Sequence, residues 1–509
     1  MSSQNGSSIS GDAQREFAVP AATERSEQAD DATSRRAFLK YAGAAAAGVA
    51  LTGGVGGCAP GGQPLAARKP APFVTPRREK LRIAFIGTGG RGAGHLEETK
   101  DLPIECPCYC DVDTARMGAA AKLYPHAHRY QDYREMFDKE ANNFDAVSVA
   151  APDHHHFIAA ALALQHGKHV YCEKPLTHTV WEARRLTEMA RERWGKQVTQ
   201  MGNQGHAMEG WRRVCAWYRA RALGEIVETH TWTDRPIWPQ GIGRPEGEDA
   251  VPPNLNWDAW LGPAPVRPYK GPAAGDDAGP YHWFNWRGWW DFGCGALGDM
   301  ACHTMDVIFA TLEPGPPTVV EPVAFTPVNK ETYPTASIIR WEFPRRGWRR
   351  GFAAYWYDGQ LRPTTPAVMD LGRNLPQTGS LFVGTKASLV ISGDYSEGAR
   401  FIPDAKNKEI GPAPKDKMPE LAPTVIDGHT VKAPHFAEWV MACRGEKPAD
   451  YARSNFLYSG PMTETVLLGN IALRVGRRIE WDAKNLRIRN IPDASQYVTK
   501  EYREGWRVT

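Results

Sequence analysis

The stretch that most constrains the fold runs from Leu81 to His95, LRIAFIGTGGRGAGH, where an apolar run, a glycine turn and a helix start follow one another. The run Ile83–Ile86 is short and uninterrupted, which is typical of a parallel strand covered on both faces. Gly87, Gly89 and Gly92 follow at the spacing G-x-G-x-x-G. These glycines permit a tight turn, close approach of a pyrophosphate and helix–strand packing, respectively. The stretch therefore predicts a dinucleotide-binding strand–turn–helix unit.

A second apolar strand, Ile104–Cys110, ends in Asp111. A carboxylate at this distance from the glycine turn commonly binds the ribose of the dinucleotide. An acid here favours NAD over NADP, because a 2′-phosphate would meet its negative charge. The alternative is that Asp111 only caps the next helix.

Composition bounds the class of protein. The chain has 509 residues, 42% of them hydrophobic, and a formal net charge of +3. It can therefore bury a large core, and two domains are expected. Charges of both signs are interspersed, so no basic stripe predicts a nucleic-acid partner.

The N-terminal residues predict export. Residues 1–33 are polar, and the sequence Ser34–Lys40, SRRAFLK, precedes a weakly apolar Ala/Gly segment over 41–57. Residues 1–58 thus predict a disordered leader and a signal read by the twin-arginine translocase. A permanent membrane helix is the alternative, but glycines interrupt the segment.

The end of this signal leaves the final location open. Val55–Cys58 resembles a bacterial lipobox, in which Cys58 would be acylated and would anchor the protein to a membrane surface. Plain cleavage near Ala59 would instead release it into the periplasm. Residues 59–77 are rich in Pro, Gly and Ala, and we interpret them as a linker.

Strands and helices continue to alternate after Asp111. The strand predicted over Phe144–Ala150 is followed by a helix over Phe157–His166, which Asp153 is expected to cap. Ligands of parallel sheets sit at the carboxyl ends of the strands, so Ala151, Pro152 and His156 are expected to contact the cofactor. We predict no metal site at the three adjacent histidines.

The next predicted strand, His169–Cys172, leads into Glu173-Lys174-Pro175 at the same edge of the sheet. A lysine there can hydrogen-bond a substrate hydroxyl and polarise it. A surface salt bridge is the alternative role for Lys174.

A second chemical stretch surrounds Asp299 and His303. Glycines punctuate the loop before it, and a helix is predicted from near Leu297 through Phe309. Four residues apart, the two side chains share a helix face, so the carboxylate can orient the imidazole or hold a substrate hydroxyl. A capping aspartate and a core histidine are the alternative.

The series GTGGRG, CDVD, APDHHH, CEKP and MGNQGH resembles the Gfo/Idh/MocA family of nicotinamide-dependent sugar oxidoreductases over nearly all of residues 78–509. The resemblance implies an α/β fold with an N-terminal Rossmann domain, residues 78–202. It implies a C-terminal α+β domain with a large, mostly antiparallel open sheet, residues 203–509, through which copies commonly pair. Strand patterns over 226–233, 336–343, 352–357 and 380–390 fit this expectation.

The resemblance also implies roles for residues. His303 is the expected proton acceptor, with Lys174 beside it and Asp299 as the third catalytic residue. A base with a pKa near the working pH suits this step. The predicted NAD site is made by Gly87, Thr88, Gly89, Arg91, Gly92, Asp111, Ala151, Pro152, His156, Glu173, Lys174 and Asn203. Aromatic faces suit the C–H faces of a sugar, so Trp286, Arg287 and Trp290 are the predicted substrate-binding residues.

The predicted function is NAD-dependent oxidation of a secondary hydroxyl of a sugar or glycoside. Two enzymatic alternatives remain open: redox-neutral glycoside cleavage by oxidation, elimination and re-reduction, and sugar–sugar oxidoreduction with a tightly bound cofactor. A non-enzymatic sugar-binding lipoprotein is less expected, because binding alone does not need Lys174, Asp299 and His303.

Overall fold

The computed structural model describes residues 79–426 and 428–508. The predicted twin-arginine signal, Cys58 and the linker lie outside these residues. Within them, the first sheet has seven strands. They are β1 (Leu81–Ile86), β2 (Ile104–Glu105), β3 (Cys108–Cys110), β4 (His128–Tyr130), β5 (Ala146–Val149), β6 (His169–Cys172) and β7 (Thr199–Met201).

All pairings in this sheet are parallel, in the order β4-β3-β1-β5-β6-β7 with β2 also on β1. The chain builds one half outward from β1 and the other half outward from β5. The ends of these two neighbours form the point where strand order reverses, which is where doubly wound sheets bind ligands. The predicted parallel sheet is confirmed.

Helices connect the strands and cover both faces of the sheet. They are α1 (Arg91–Thr99), α2 (Gly118–Leu123), α3 (Tyr133–Glu140), α4 (Asp153–Gln165) and α5 (Val180–Glu192). The strands β5 and β6 are buried along their whole length. Continuous apolar runs are what this two-sided burial requires.

The second sheet has nine strands within the described residues. They are β8 (Ile226–Trp232), β9 (Val319–Phe325), β10 (Ser337–Phe343), β11 (Phe352–Tyr357), β12 (Gly379–Gly384), β13 (Ser388–Ser392), β14 (Gly398–Ile402), β17 (Ile479–Asp482) and β18 (Arg487–Ile488). A separate two-stranded ladder joins β15 (Val425–Ile426) and β16 (His429–Thr430).

The order of the large sheet is β14-β13-β12-β8-β11-β10-β9-β17-β18. Its pairs are antiparallel except for β8 with β11. The predicted large, mostly antiparallel sheet is confirmed. One prediction inside it is wrong, because the single strand expected over 380–390 is the hairpin β12–β13. At the turn of this hairpin, Thr385 N donates to Glu225 O, so Thr385 takes no part in the β12–β13 ladder.

The helices of this second half are α6 (Glu209–Arg219), α7 (Trp257–Leu261), α8 (Gly295–Thr304), α9 (Asp306–Leu312), α10 (Ala405–Ile410), α11 (Pro434–Cys443) and α12 (Phe456–Val475). The single helix predicted from Leu297 through Phe309 is therefore two helices. They separate at Met305, beside Asp306, whose carboxylate accepts from His206 and Asn203. No helix of the described residues has the length and apolar character needed to cross a membrane.

The chain between β8 and α8 builds a wall over the carboxyl edge of the first sheet. Its core is an aromatic cluster that includes Trp257, Trp260 and Trp289. It is tied to the first domain at Asp113, which accepts from Asn254 Nδ2 at 2.6 Å and lies 3.0 Å from His282 Nε2. The wall therefore encloses the space next to the glycine turn.

Candidate active site

A cavity of about 550 Å³ lies between this wall and the carboxyl edge of the first sheet. Its volume falls within the range of about 300–1,000 Å³ that is usual for small-molecule sites. Most predicted site residues line it. They are Gly87, Gly89, Arg91, Asp111, Ala151, Pro152, His156, Glu173, Lys174, Trp286, Arg287, Asp299 and His303.

The glycine turn is packed so closely that side chains are excluded from it. Gly87 has φ +81°, and a Cβ added at Gly92 would lie 2.0 Å from the carbonyl oxygen of Gly87. A Cβ at Gly89 would lie 2.9 Å from the Cβ of Arg116. Bare backbone thus faces the cavity where a pyrophosphate would approach, so the turn fits a dinucleotide.

Asp111 holds this turn in place. Its Oδ2 accepts from the backbone of Thr88 at 2.8 Å and of Gly89 at 3.2 Å, and its Oδ1 accepts from Asp113 N at 3.0 Å. Burial raises its pKa, although these hydrogen bonds act in the opposite direction. The helical turn that follows is capped by Asp113, which accepts from Ala115 N. The capping alternative for Asp111 is therefore wrong.

Glu173 sits in a buried ion network at the end of β6. It accepts from Arg91 Nε at 2.9 Å and from His95 Nε2 at 2.8 Å. Burial disfavours its charge, but Arg91 and His95 outweigh burial and keep its pKa well below the usual range. Glu173 Oε2 also accepts from the backbone N–H of Lys174, so this network fixes the strand end that presents the lysine.

Lys174 and Arg287 both bind Asp299. The lysine Nζ lies 2.8 Å from Asp299 Oδ1, and Arg287 Nε lies 3.1 Å from the same oxygen. Burial opposes both charges of the Lys174–Asp299 pair. The attraction between them still raises the pKa of Lys174, and the two cations lower the pKa of Asp299 below its usual range. Two cations on one carboxylate leave positive charge where an alkoxide could be stabilised.

His303 lies on α8 one turn after Asp299, as predicted, but no hydrogen bond joins the two side chains in the part of the chain that is described. Its Nδ1 is buried and lacks a hydrogen-bond partner there. Burial, and then the charge of Lys174, lower its pKa to about 3. The expected pKa near the working pH is therefore wrong. The imidazole is neutral, which is the form that accepts a proton.

The three adjacent histidines, in contrast to His303, have ring nitrogens that face backbone carbonyl groups. His154 lies 3.1 Å from Phe292 O and 3.0 Å from Trp260 O, and His155 lies 2.8 Å from Trp260 O. His156 lies 2.7 Å from both Pro175 O and Ala151 O. They fasten the start of α4 to the aromatic wall and to the segment after β6.

Asp153 does not cap the predicted helix, because α4 already begins at Asp153 itself. Its carboxylate accepts from Cys294 N at 3.0 Å, just before α8. Burial raises the pKa of Asp153 to about 6. The side chain therefore links the two helix starts at the cavity.

Four predicted residues do not reach the cavity wall. Thr88 is bonded to Asp111, and Gly92 lies beneath the turn. Asn203 donates to Asp306 Oδ1 at 3.0 Å, and Trp290 packs on Tyr333 with ring centres 3.7 Å apart. Their contacts position neighbours of the cavity.

Several residues on the cavity wall were not predicted. Among them are Arg235, Trp238, Asp394 and Tyr395. These four lie in loops of the second half, without a motif or periodic pattern. Only the folding of the large sheet brings them to the first domain.

A parallel sheet with a glycine turn at its carboxyl edge, followed by a large open sheet, defines a two-domain dinucleotide-binding protein. Residues 81–200 match the oxidoreductase family Gfo/Idh/MocA, NAD-binding Rossmann fold, and residues 231–322 match the C-terminal alpha/beta domain of the same family. The models of both domains of the Gfo/Idh/MocA oxidoreductase family thus match this chain in the predicted order. The predicted NAD-binding domain is confirmed.

Curated relatives match a shorter part. A glycosyl hydrolase family 109 protein of Shewanella sp. MR-4 and the α-N-acetylgalactosaminidase of Shewanella oneidensis are each 30% identical over 208 residues. Each match covers 38% of this chain and 44% of the relative, less than half of its length.

A solved structure shows the fold. The WlbA dehydrogenase from Chromobacterium violaceum, in complex with NADH and UDP-GlcNAcA, aligns with a TM-score of 0.53 at 18% identity. The alignment covers 81% of this chain and 99% of that one.

Proposed function

We propose that this protein is an NAD-dependent oxidoreductase that oxidises a secondary hydroxyl group of a sugar or glycoside. The observation that carries the proposal is that Lys174, Asp299 and His303 line one cavity together with the glycine turn. This set places a fixed cation and a neutral imidazole beside the predicted dinucleotide site. A sugar-binding protein without activity has no need of it.

The residues that would hold the cofactor are those around the glycine turn. The bare backbone at Gly87 and Gly89 and the start of α1 suit the pyrophosphate. Asp111 faces the cavity beside them, and its charge favours NAD over NADP. When bound, NAD⁺ supplies a nicotinamide ring that accepts a hydride.

The chain's own residues would handle the proton and the charge of the hydroxyl. The Lys174 ammonium, held by Asp299, donates to the substrate oxygen and stabilises the negative charge that develops there. The neutral His303 accepts the hydroxyl proton at a ring nitrogen. Trp283 and Trp286 on the cavity wall offer apolar faces for the sugar ring and exclude water.

The experiment is a panel of sugars and glycosides mixed with the purified protein and NAD. Absorbance follows NADH, and mass spectrometry identifies the products. We expect NADH to accumulate together with a keto product that lacks the two transferred hydrogens. A panel of broad composition that yields neither product would contradict the proposal.

A redox-neutral glycosidase is the second candidate. It is favoured by the names of the curated relatives, which include a glycosyl hydrolase family 109 protein and an α-N-acetylgalactosaminidase. In that reaction, a ring carbon is oxidised, the glycosidic bond is cleaved by elimination, water adds to the resulting double bond, and the hydride is returned. Free sugar that accumulates over many turnovers without net NADH would place this candidate first. Transfer of the hydride to a second sugar would instead give one oxidised and one reduced sugar.

We further propose that the protein is exported by the twin-arginine route with NAD already bound, since the compartment outside has no evident dinucleotide pool. Replacing Arg35 and Arg36 by lysine should retain the protein inside the cell. Mass spectrometry of the mature N-terminus would show whether Cys58 carries lipid.

Light scattering would test the proposed homo-oligomer. Equal affinity for NAD and NADP would contradict the role of Asp111.

A further inference from the structure

The turn between β13 and β14, residues 393–397, reaches the cavity from the large sheet. Asp394 and Tyr395 of this turn line the same cavity as Lys174 and His303. Neither residue has a role in the site described above. The turn forms the wall that faces the catalytic lysine and histidine from the second domain.

The turn is docked too tightly for its position to be incidental. A Cβ added at Gly205 would lie 3.0 Å from the Cβ of Tyr395, and one added at Gly210 would lie 1.7 Å from the carbonyl oxygen of Ser396. Inside the turn, Tyr395 N donates to Glu397 Oε2 at 3.2 Å. Glycine at 205, within the MGNQGH stretch, thus provides the space that admits Tyr395.

Tyr395 packs directly against the catalytic histidine. The two rings are edge to face, with centres 5.0 Å apart and an interplanar angle of 88°. This contact covers an imidazole whose Nδ1 has no hydrogen-bond partner among the described residues. Ring packing, instead of a hydrogen bond to Asp299, therefore fixes the imidazole and keeps water from it.

The phenol hydroxyl of Tyr395 is in the electrostatic field of the catalytic lysine. Burial raises the pKa of Tyr395, and the charge of Lys174 acts in the opposite direction. The tyrosine thus lies between His303, which its ring contacts, and the cation that would bind the substrate oxygen.

Asp394 supplies an acceptor that no group of the described residues uses. Its Oδ1 is buried and has no hydrogen-bond partner among the described residues, while the side chain lines the cavity. Asp299, by contrast, is bound by Lys174 and Arg287. A buried carboxylate oxygen requires a donor, and sugar hydroxyl groups are donors.

We propose that this turn completes the substrate site: Tyr395 is the positioning residue for the imidazole of His303, and Asp394 binds a hydroxyl of the sugar other than the one oxidised. The substrate class that follows is a polyhydroxylated ring with at least two free hydroxyl groups. This inference rests on the proposed oxidoreductase function.

The Tyr395 test compares Tyr395→Phe with Tyr395→Leu on a substrate found in the panel. The leucine variant loses the aromatic edge contact and admits water, so kcat should fall about 10- to 100-fold, whereas phenylalanine should stay within about threefold. Hydration should also move the acid limb of kcat/KM toward the ordinary histidine pKa of about 6.5 in the leucine variant only. An unchanged acid limb in Tyr395→Leu would overturn the positioning role.

The Asp394 test uses Asp394→Asn, with Asp416→Asn at an exposed site of the same domain as control. The amide weakens acceptance from a hydroxyl, so KM should rise about tenfold with kcat nearly unchanged. An unchanged KM would overturn the binding role. This variant keeps the inference testable if Tyr395→Leu fails to fold, as judged by thermal unfolding.

Measurements on the wild-type protein distinguish a failure of the proposed function from a failure of the inference about the turn. If the wild type binds no dinucleotide and oxidises nothing in the panel, the proposed function fails. If it reduces NAD while Tyr395→Leu and Asp394→Asn behave like the Asp416→Asn control, the inference about the turn alone fails.

Discussion

Two helices border the cavity, and their histidines differ in one respect. At the start of α4, His154, His155 and His156 have their ring nitrogens on backbone carbonyl groups. On α8, His303 has a buried Nδ1 that no described residue contacts through a hydrogen bond. Histidines bonded to carbonyls stabilise the wall of the site, whereas the unsatisfied imidazole is available for proton transfer. Hydrogen-bond satisfaction, more than residue type or proximity, separates the two roles.

The largest effect on this comparison is expected from removing the ammonium of Lys174, which Asp299 of α8 binds. Lys174→Met should lower kcat by about 10²–10³-fold, because the developing oxyanion loses its donor. NAD binding, followed by quenching of tryptophan fluorescence, should change little. Lys139→Met, at an exposed site on α3, is the control. Full turnover in Lys174→Met would break the assignment of chemistry to α8.

At α4 we expect a loss of stability without a loss of turnover. His154→Ala removes a buried imidazole, whose single N–H can donate to either Phe292 O or Trp260 O, so the free energy of unfolding should fall by about 1–3 kcal/mol. Urea unfolding measures the loss, and kcat should remain within about threefold of the wild type. Loss of turnover without loss of stability would reverse the roles assigned to the histidines of the two helices.

Acid should lower the stability of the protein measurably through His155 in the first turn of α4. Burial lowers the pKa of His155 to about 4, so the folded protein keeps it neutral while the unfolded chain takes up a proton below about pH 6.5. Its contribution is present above pH 6.5 and is lost as pH falls toward the folded value. Between pH 7 and 5, His155→Asn should lose about 2 kcal/mol less stability than the wild type does. Equal losses in urea titrations would contradict this.

The smallest effect is expected at Trp290, which the sequence placed in the substrate site and the structure packs on Tyr333. Trp290→Phe should leave KM within about twofold. The same substitution at Trp286, on the cavity wall, should raise KM about fivefold because an apolar face for the sugar shrinks. If Trp290→Phe has the larger effect on KM, the cavity assignment is wrong.

Local patterns predicted the first domain well. The strand at His169–Cys172 matches to the residue, and the glycine turn follows its strand as expected. Continuous apolar runs and glycine spacing encode these features within a few residues. In the second half, Phe352–Tyr357 is equally accurate, but the hairpin β12–β13 and the break at Met305 depend on contacts with Glu225 and Asp306.

The sequence predicted many residues of the site but not how their side chains contact one another. The spacing of Asp299 and His303 places them one turn apart, yet Lys174 and Arg287 from other elements claim the carboxylate. Burial, and then the charge of Lys174, lower the pKa of His303. Tyr395 reaches His303 only through the pairing of β13 with β14, for which the sequence offers no local pattern.

The central claim is tested most directly by single-turnover formation of NADH in His303→Gln and His154→Gln. Both variants replace a buried histidine on a helix that borders the cavity, and both are first shown to bind NAD as the wild type does. We expect His303→Gln to form NADH about 10²–10⁴-fold more slowly than the wild type, and His154→Gln at nearly the wild-type rate. Equal rates for His303→Gln and the wild type would contradict the account.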